Sequence, residues 1–129
     1  MHVLLVDDDD RFCTVLVAAL TKAGHRVSDM PDAEQALALA GTVPDLLVTD
    51  VDLGPGLDGI ALAAEAHRRW PLIRVILFSG LSGSLIGRPA EAADRFLLKP
   101  FHAGALLQSI VELTAGSAAT DRRSGTPNG

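Results

Sequence analysis

Apolar residues fall into five short runs, separated by segments in which they recur every three or four positions. The runs cover residues 2–6, 25–29, 45–49, 73–78 and 95–98. Three of them, VLLV, LLV and VILF, are apolar throughout instead of alternating with polar residues. Continuous apolar runs are typical of strands that are covered on both faces in a parallel sheet. We therefore predict five strands.

The segments between these strands have the apolar spacing of helices. The clearest begins after the four aspartates and ends at Gly24, which suits a helix C-terminus. Asp32 and Asp58 can cap two further helices that end at Gly41 and before Pro71. A final helix is predicted over residues 101–115. The segment LSGSLIGRPAEAA, residues 81–93, contains two glycines and a proline, so we expect it to be short or irregular.

Alternating strands and helices predict an α/β fold with right-handed crossovers and helices on both faces of the sheet. A closed eight-stranded barrel needs a much longer chain than 129 residues, which leaves an open, doubly wound sheet. The length suits one domain, which we place at residues 1–116. Residues 117–129 contain no large apolar side chain and are expected to form a disordered polar tail.

Composition narrows the classes of function. No apolar run reaches the roughly 18 residues that a membrane helix needs, and no secretory signal is evident, so we expect a cytoplasmic protein without membrane contact. The formal net charge of −5 and the two lysines, Lys22 and Lys99, argue against nucleic-acid binding. The single cysteine, Cys13, is expected in the core. The four histidines show no ligand spacing and are expected at the surface.

Polar side chains follow four of the predicted strands. The first strand is followed by Asp7 and Asp8, the third by Asp50, the fourth by Ser79 and the fifth by Lys99. Ligands of open α/β sheets bind outside the carboxyl ends of the strands, so one edge would collect three carboxylates, a hydroxyl and an ammonium group. The four consecutive aspartates, DDDD, repel one another unless a cation is bound. Asp9 and Asp10 are expected to cap or start the first helix.

Four blocks of the sequence, VLLVDDDD, DLLVTDVDLGPGLDG, VILFSG and FLLKPF, resemble the signature blocks of the receiver domain of two-component response regulators. The resemblance covers residues 2 to about 115. It implies a flavodoxin-like five-stranded sheet with strand order 2-1-3-4-5. It further implies that Asp50 is the phosphoacceptor, that Asp7 and Asp8 hold a divalent ion, and that Ser79 and Lys99 contact the phosphoryl group.

The chemistry of these residue types agrees with the roles that the resemblance implies. A carboxylate is a feasible nucleophile toward a phosphoryl donor once the negative charge is neutralised. Mg²⁺ prefers oxygen ligands and retains several waters, so we expect it to be bound between Asp7, Asp8 and Asp50. In the family the hydroxyl at the Ser79 position moves toward the phosphoryl group, and an aromatic residue, here Phe96, swings inward behind it. We therefore expect Ser79 and Phe96 to form the switch, together with the segment 81–93.

The chain departs from the usual receiver pattern in one loop. The loop from Asp50 to Gly59 is one residue longer than the commonest form and contains LGPG. Asp52 places an acid two residues after the phosphoacceptor. We expect its backbone carbonyl to face the metal and its side chain to face the phosphoryl group.

We expect a stand-alone response regulator that takes a phosphoryl group from a sensor histidine kinase or a histidine phosphotransfer protein and signals to an unknown downstream protein. Such a protein is a phosphoacceptor and not an enzyme with its own substrate. Two alternatives remain. One is a pseudo-receiver that keeps the fold as an interaction module without phosphorylation. The other follows from DVDLG, which also resembles the motif of haloacid dehalogenase phosphatases, although FHAGALLQ lacks the later acidic pair of that family.

Overall fold

The computed structural model describes residues 1–38, 43–53, 56–79, 93–98 and 101–123. Its centre is a parallel sheet of five strands with the order β2-β1-β3-β4-β5, which confirms the predicted α/β fold and strand order. The strands are β1 (His2–Val6), β2 (Arg26–Met30), β3 (Leu46–Asp50), β4 (Arg74–Ser79) and β5 (Arg95–Leu98).

In the described ranges, four helices cover the sheet on both faces, namely α1 (Asp10–Lys22), α2 (Ala33–Leu37), α3 (Gly59–Arg69) and α4 (Ala103–Arg123). Alternate residues of the central strands point to opposite faces. Leu4, Leu47 and Val75 pack with α2 and α3, while Leu5, Val48 and Ile76 pack with α1 and α4. The continuous apolar runs of β1, β3 and β4 thus fill two cores at once.

Side chains of aspartate begin three of the helices, as the sequence predicts. Asp9 accepts hydrogen bonds from the amides of Arg11 and Phe12, while Asp32 and Asp58 each accept one from the amide three residues later. Each bond satisfies a backbone donor that the first helical turn leaves without a partner. Gly24 follows Ala23, the C-cap of α1, and adopts a φ of +97°, in the left-handed region that glycine enters without strain.

Strands β2, β3 and β4 each lie one residue later than predicted. The polar residues that were expected just after β3 and β4 are their last members, because Asp50 pairs with Phe78 and Ser79 pairs with Leu98. At the other end of β3, Asp45 is excluded because its carboxylate turns back to accept a hydrogen bond from the amide of His2.

The last helix differs most from its predicted bounds. It starts at Ala103 instead of residue 101 and continues to Arg123, beyond the predicted end at residue 115. Residues 117–123 are therefore helical where a disordered tail was expected. Alanines at positions 118 and 119 favour a helix, which outweighs Gly116. The division into a domain and a tail stays a prediction, and residues 124–129 lie outside the described residues.

The burial of His2 corrects one prediction from the sequence, and the burial of Cys13 confirms another. His2 is buried at the start of the central strand β1, with its Nε2 atom 2.8 Å from Oγ of Ser28, although all four histidines were expected at the surface. Cys13 is buried in the core as predicted. None of the helices in the described ranges is long and apolar enough to cross a membrane.

Candidate functional site

Three neighbouring strands bring Asp7, Asp50 and Ser79 to one edge of the sheet. Val6 pairs with Thr49, so Asp7 follows β1 beside the position where Asp50 ends β3. Asp50 in turn pairs with Phe78, and Ser79 follows at the end of β4. All three side chains are buried, with exposures of 2% for Asp7, 7% for Asp50 and 1% for Ser79. The polar residues that the sequence predicts at this edge of the sheet are therefore buried.

Each buried carboxylate is held by a backbone amide two residues further along the chain. The amide of Asp9 donates to Oδ1 of Asp7 at 3.2 Å, and the amide of Asp52 donates to Oδ1 of Asp50 at 3.0 Å. Aspartate commonly forms such turns with its own backbone. The two turns orient the carboxylates, while the side chains of Asp8 and Asp52 themselves are exposed.

The loop between β3 and α3 is closed by backbone hydrogen bonds. The amide of Val51 donates to the carbonyl of Phe78 at 2.9 Å, and the amide of Gly59 donates to the carbonyl of Val51 at 2.8 Å. Farther out, the amide of Leu57 donates to Oε2 of Glu34 at 3.3 Å. Two contacts from outside the loop, with Phe78 and with Glu34, and one between its own ends, from Gly59 to Val51, therefore restrain its path.

Three phenylalanine rings pack together in the core that contains α1 and α4. Phe12 of α1, Phe78 of β4 and Phe101 form edge-to-face contacts with centroid distances of 5.2 to 5.6 Å. Phe78 precedes Ser79, and Phe101 is two residues after Lys99 in the sequence. The rings therefore join the first helix, the end of β4 and the start of the segment before α4.

The acidic character of the site affects the neighbouring thiol. The Sγ atom of Cys13 donates to the carbonyl of Asp7 at 3.5 Å. Burial, followed by the negative charges of Asp7 and Asp29, raises the pKa of this thiol to about 12. The thiol is therefore protonated at neutral pH.

The side chains at this edge include oxygen donors of the kind that Mg²⁺ prefers. Among the described residues, no three side chains of His, Cys, Asp or Glu form a group able to hold a metal ion by themselves. Mg²⁺ does not require one, since it commonly binds through one or two carboxylates and keeps several waters. Asp7 and Asp50 place two buried carboxylates at the ends of adjacent strands, where both can supply oxygen ligands. Asp7 and Asp50 thus fit a magnesium ion.

The remaining predicted residues fall into two groups. Lys99, Pro100, residues 80–92 and part of the LGPG turn lie outside the described residues. Phe96 lies on β5 in register with Leu77 and is 45% exposed. It stays a prediction that Asp8 and the carbonyl of Asp52 serve as metal ligands. The joint movement of Ser79 and Phe96 is a prediction as well.

Sequence reasoning missed Gly59 and Glu34. The signal for Gly59 was available, because a glycine directly after a capping aspartate is a poor choice for the first helical turn unless space requires it. Glu34 carried no such signal. Its contact depends on how α2 and the long loop lie next to each other, and residue type alone does not show this.

Comparison with known proteins places these features in a family. The sequence model of the response regulator receiver domain matches residues 3–111. The transcriptional regulatory protein TcrA of Mycobacterium tuberculosis is 32% identical over 130 residues, which cover 98% of this chain and 48% of TcrA. The DNA-binding transcriptional regulator NtrC of Salmonella typhimurium is 34% identical over 102 residues, which cover 77% of this chain and 22% of NtrC. The chain thus spans half or less of these relatives.

Solved structures agree with this assignment. The response regulator TrrA of Thermotoga maritima, in complex with Mg²⁺ and BeF, superposes with a TM-score of 0.76 at 25% identity, covering 87% of this chain and 97% of TrrA. The receiver domain of NtrX from Brucella abortus gives a TM-score of 0.74 at 30% identity, covering 85% of this chain and 95% of that domain. By its sequence, its strand order and the polar residues at its strand ends, this chain belongs to the response regulator receiver domain family.

Proposed function

We propose that this chain accepts a phosphoryl group on Asp50, in a reaction that needs Mg²⁺, from a phosphohistidine of a sensor kinase or a phosphotransfer protein. The observation that carries the proposal is the burial of the Asp50 carboxylate beside Asp7 at the ends of adjacent strands. Two carboxylates brought together at one strand edge supply the oxygen ligands that Mg²⁺ prefers, and a bound cation neutralises the charge that would otherwise repel the phosphoryl donor.

The residues of the site have separate roles in the transfer. An oxygen of Asp50 attacks phosphorus and the bond from phosphorus to the donor's imidazole nitrogen breaks, which leaves an acyl phosphate on Asp50. Asp7, Asp8 and the backbone carbonyl of Asp52 would hold the metal ion. Mg²⁺, when bound, supplies positive charge that lets two anions approach. Lys99 and Ser79 donate hydrogen bonds to the phosphoryl oxygens.

The output of the proposed reaction is a contact with a partner protein. We infer that Ser79 and Phe96 change position on phosphorylation and that a downstream protein reads the change. TcrA and NtrC are named as transcriptional regulators, but this chain covers 48% and 22% of them. The net charge of −5 supports a protein partner over a nucleic acid for the domain described here.

Intact-mass measurement after incubation with acetyl phosphate tests the transfer. Wild type with Mg²⁺ should gain the mass of one phosphoryl group. Removing Mg²⁺ or introducing Asp50→Asn should abolish the gain. Asp29→Asn is the matched control, since it removes an exposed aspartate on β2 and should be labelled like wild type. Labelling of Asp50→Asn to the wild-type extent would refute the proposal.

The same preparations separate the alternatives. A pseudo-receiver would not be labelled under any of these conditions. A phosphatase of the haloacid dehalogenase type would release inorganic phosphate from p-nitrophenyl phosphate over many turnovers, and Asp52→Asn would stop that release. We expect single labelling and no such turnover.

A further inference from the structure

Gly59, the first residue of α3, lies against the backbone of the phosphoacceptor segment. We propose that Gly59 is a positioning residue for Asp50, and that the absence of a side chain at this position sets where the Asp50 carboxylate stands. The inference rests on the proposed function of Asp50 and adds a second requirement to the site. Gly59 touches neither phosphoryl group nor metal, so it acts only through the backbone of residues 50 and 51.

The contact leaves no room for a β-carbon. A Cβ at position 59 would overlap the carbonyl oxygen of Asp50 and would lie 2.8 Å from its carbonyl carbon and 2.9 Å from Cα of Val51. All three are backbone atoms, which cannot rotate away as the end of a flexible side chain would. Even alanine at this position therefore requires the main chain to move.

Both sides of the contact are fixed. On one side, Asp50 pairs with Phe78 in the sheet, and the amide of Val51 donates to the carbonyl of Phe78 at 2.9 Å. On the other side, α3 is held against the sheet by the fully buried residues Leu62 and Ala63. Packed interiors transmit such displacements instead of absorbing them. Movement of either side changes the position of Asp50 relative to Asp7.

Conformational preference does not explain this glycine. Gly59 is not one of the glycines with positive φ, which in the described chain are Gly24 and Gly56. In a helix, alanine is favoured over glycine, because glycine loses more conformational freedom on folding. A loss caused by alanine at position 59 would therefore come from the contact with Asp50 and Val51 and not from the helix.

Gly104 supplies a matched control. It is the second residue of α4, and a Cβ built there meets no atom within 4 Å. Gly104→Ala is thus the same chemical change in the first turn of another helix, with open space around it. The substitution should stabilise the protein slightly and can serve as a background for Gly59→Ala.

The test compares the time course of labelling by acetyl phosphate and Mg²⁺ in wild type, Gly59→Ala, Gly104→Ala and the double variant. A variant that is merely less stable would label more slowly only in proportion to its folded fraction, so the observed rate constant is divided by the folded fraction measured under the same conditions. Mispositioning lowers the rate constant of the folded molecules. For Gly59→Ala we expect a rate constant reduced by about tenfold to a hundredfold, as for displacements of about 1 Å elsewhere. Gly104→Ala should match wild type.

Amide hydrogen exchange supplies the second measurement. In Gly59→Ala, protection of the Val51 amide should fall while that of residues 3–6 is kept. An unchanged rate constant in folded Gly59→Ala would overturn the proposal. So would failure of the double variant to fold, because the contact would then serve the whole fold. If wild type itself is not labelled, the proposed function of Asp50 fails as well, and this result is distinct from both.

Discussion

Asp45 and His2 exchange two hydrogen bonds at the start of the sheet. The amide of His2 donates to Oδ2 of Asp45 at 2.8 Å, and the amide of Asp45 donates to the carbonyl of His2 at 2.8 Å. Asp94 and Val75 repeat the arrangement between β5 and β4, with the same two distances. Both aspartates precede a strand, and the side chain of each accepts a hydrogen bond from an amide in the first two residues of the neighbouring strand. The end of the sheet opposite the candidate site is therefore closed by aspartates.

Replacing Asp45 by alanine should destabilise the fold, because the amide of the buried residue His2 would lose its acceptor. A hydrogen bond to a charged group in such a position is worth about 1.5–3 kcal/mol. Urea unfolding should show a lower midpoint with an unchanged slope. Asp45→Asn retains a side-chain oxygen and should lose less. Equal stability of wild type and Asp45→Ala would contradict the assignment.

The Cys13 thiol should make stability fall at alkaline pH. Its pKa is raised from 9.0 to about 12 in the folded protein, first by burial and then by the charge of Asp7. The unfolded thiol ionises as pH rises above 9 while the folded thiol does not, so the free energy of unfolding falls between pH 9 and about 12. The chain has no tyrosine, which leaves few other groups that titrate there.

Cys13→Ala should flatten that dependence. The slope of the free energy of unfolding against pH is the quantity to compare, since the substitution also changes packing. Below pH 9 the two slopes should coincide. A variant whose slope above pH 9 equals that of wild type would show that another group is responsible.

The phenylalanine rings of Phe12 and Phe101 should be energetically coupled. Their centroids are 5.2 Å apart in an edge-to-face arrangement, which is worth about 0.5–1.5 kcal/mol beyond burial. A double-mutant cycle with Phe12→Leu and Phe101→Leu measures this coupling. As the control, Phe96→Leu combined with Phe12→Leu should be additive, because Phe96 is in register with Leu77, which packs in the other core. Additivity of the first pair would refute the coupling.

Asp52→Asn should shorten the lifetime of the phosphorylated form. The exposed carboxylate adds negative charge near the water that must attack phosphorus, and an effect of about 1 kcal/mol corresponds to about fivefold faster hydrolysis in the variant. The amide of Asp52, which donates to Asp50, is unchanged by the substitution. The rate of phosphate loss, measured by intact mass over time in wild type and Asp52→Asn, tests this prediction. A slower variant would mean that the carboxylate assists the water.

Phe96 should become buried when a phosphoryl analogue binds. It is 45% exposed in this structure, so an inward movement would bury much of its surface. Phe96→Trp in a Trp70→Phe background reports the change as a blue shift of fluorescence upon addition of Mg²⁺ and beryllofluoride. Hydrogen exchange should change most over residues 80–98. Changes confined to the neighbourhoods of Asp7 and Asp50 would argue against the switch.

The strands were predictable from sequence because β1, β3 and β4 are covered on both faces, which demands apolar residues throughout. Their ends were displaced by one residue because Asp50 and Ser79 are polar but still belong to the ladder. Asp7, Asp50 and Ser79 were predictable as a group, since parallel strands end at a common edge. The contacts of Gly59 and Glu34 were not, because they depend on the path of a loop that residue types do not specify.

The order of the strands also has a consequence for how the chain reaches its native state. Val3 pairs with Leu46, and Leu46 pairs with Arg74, so the central strands come together only after long stretches of intervening chain have been enclosed. In a parallel sheet no tight hairpin lowers this entropic cost. Helices α1 and α3 can form early from local contacts. Pairing of β1 with β3 is slower, because the chain must sample many conformations before the two strands meet. We expect refolding that is slow for a domain of this size, with its rate set by the β1–β3 pairing.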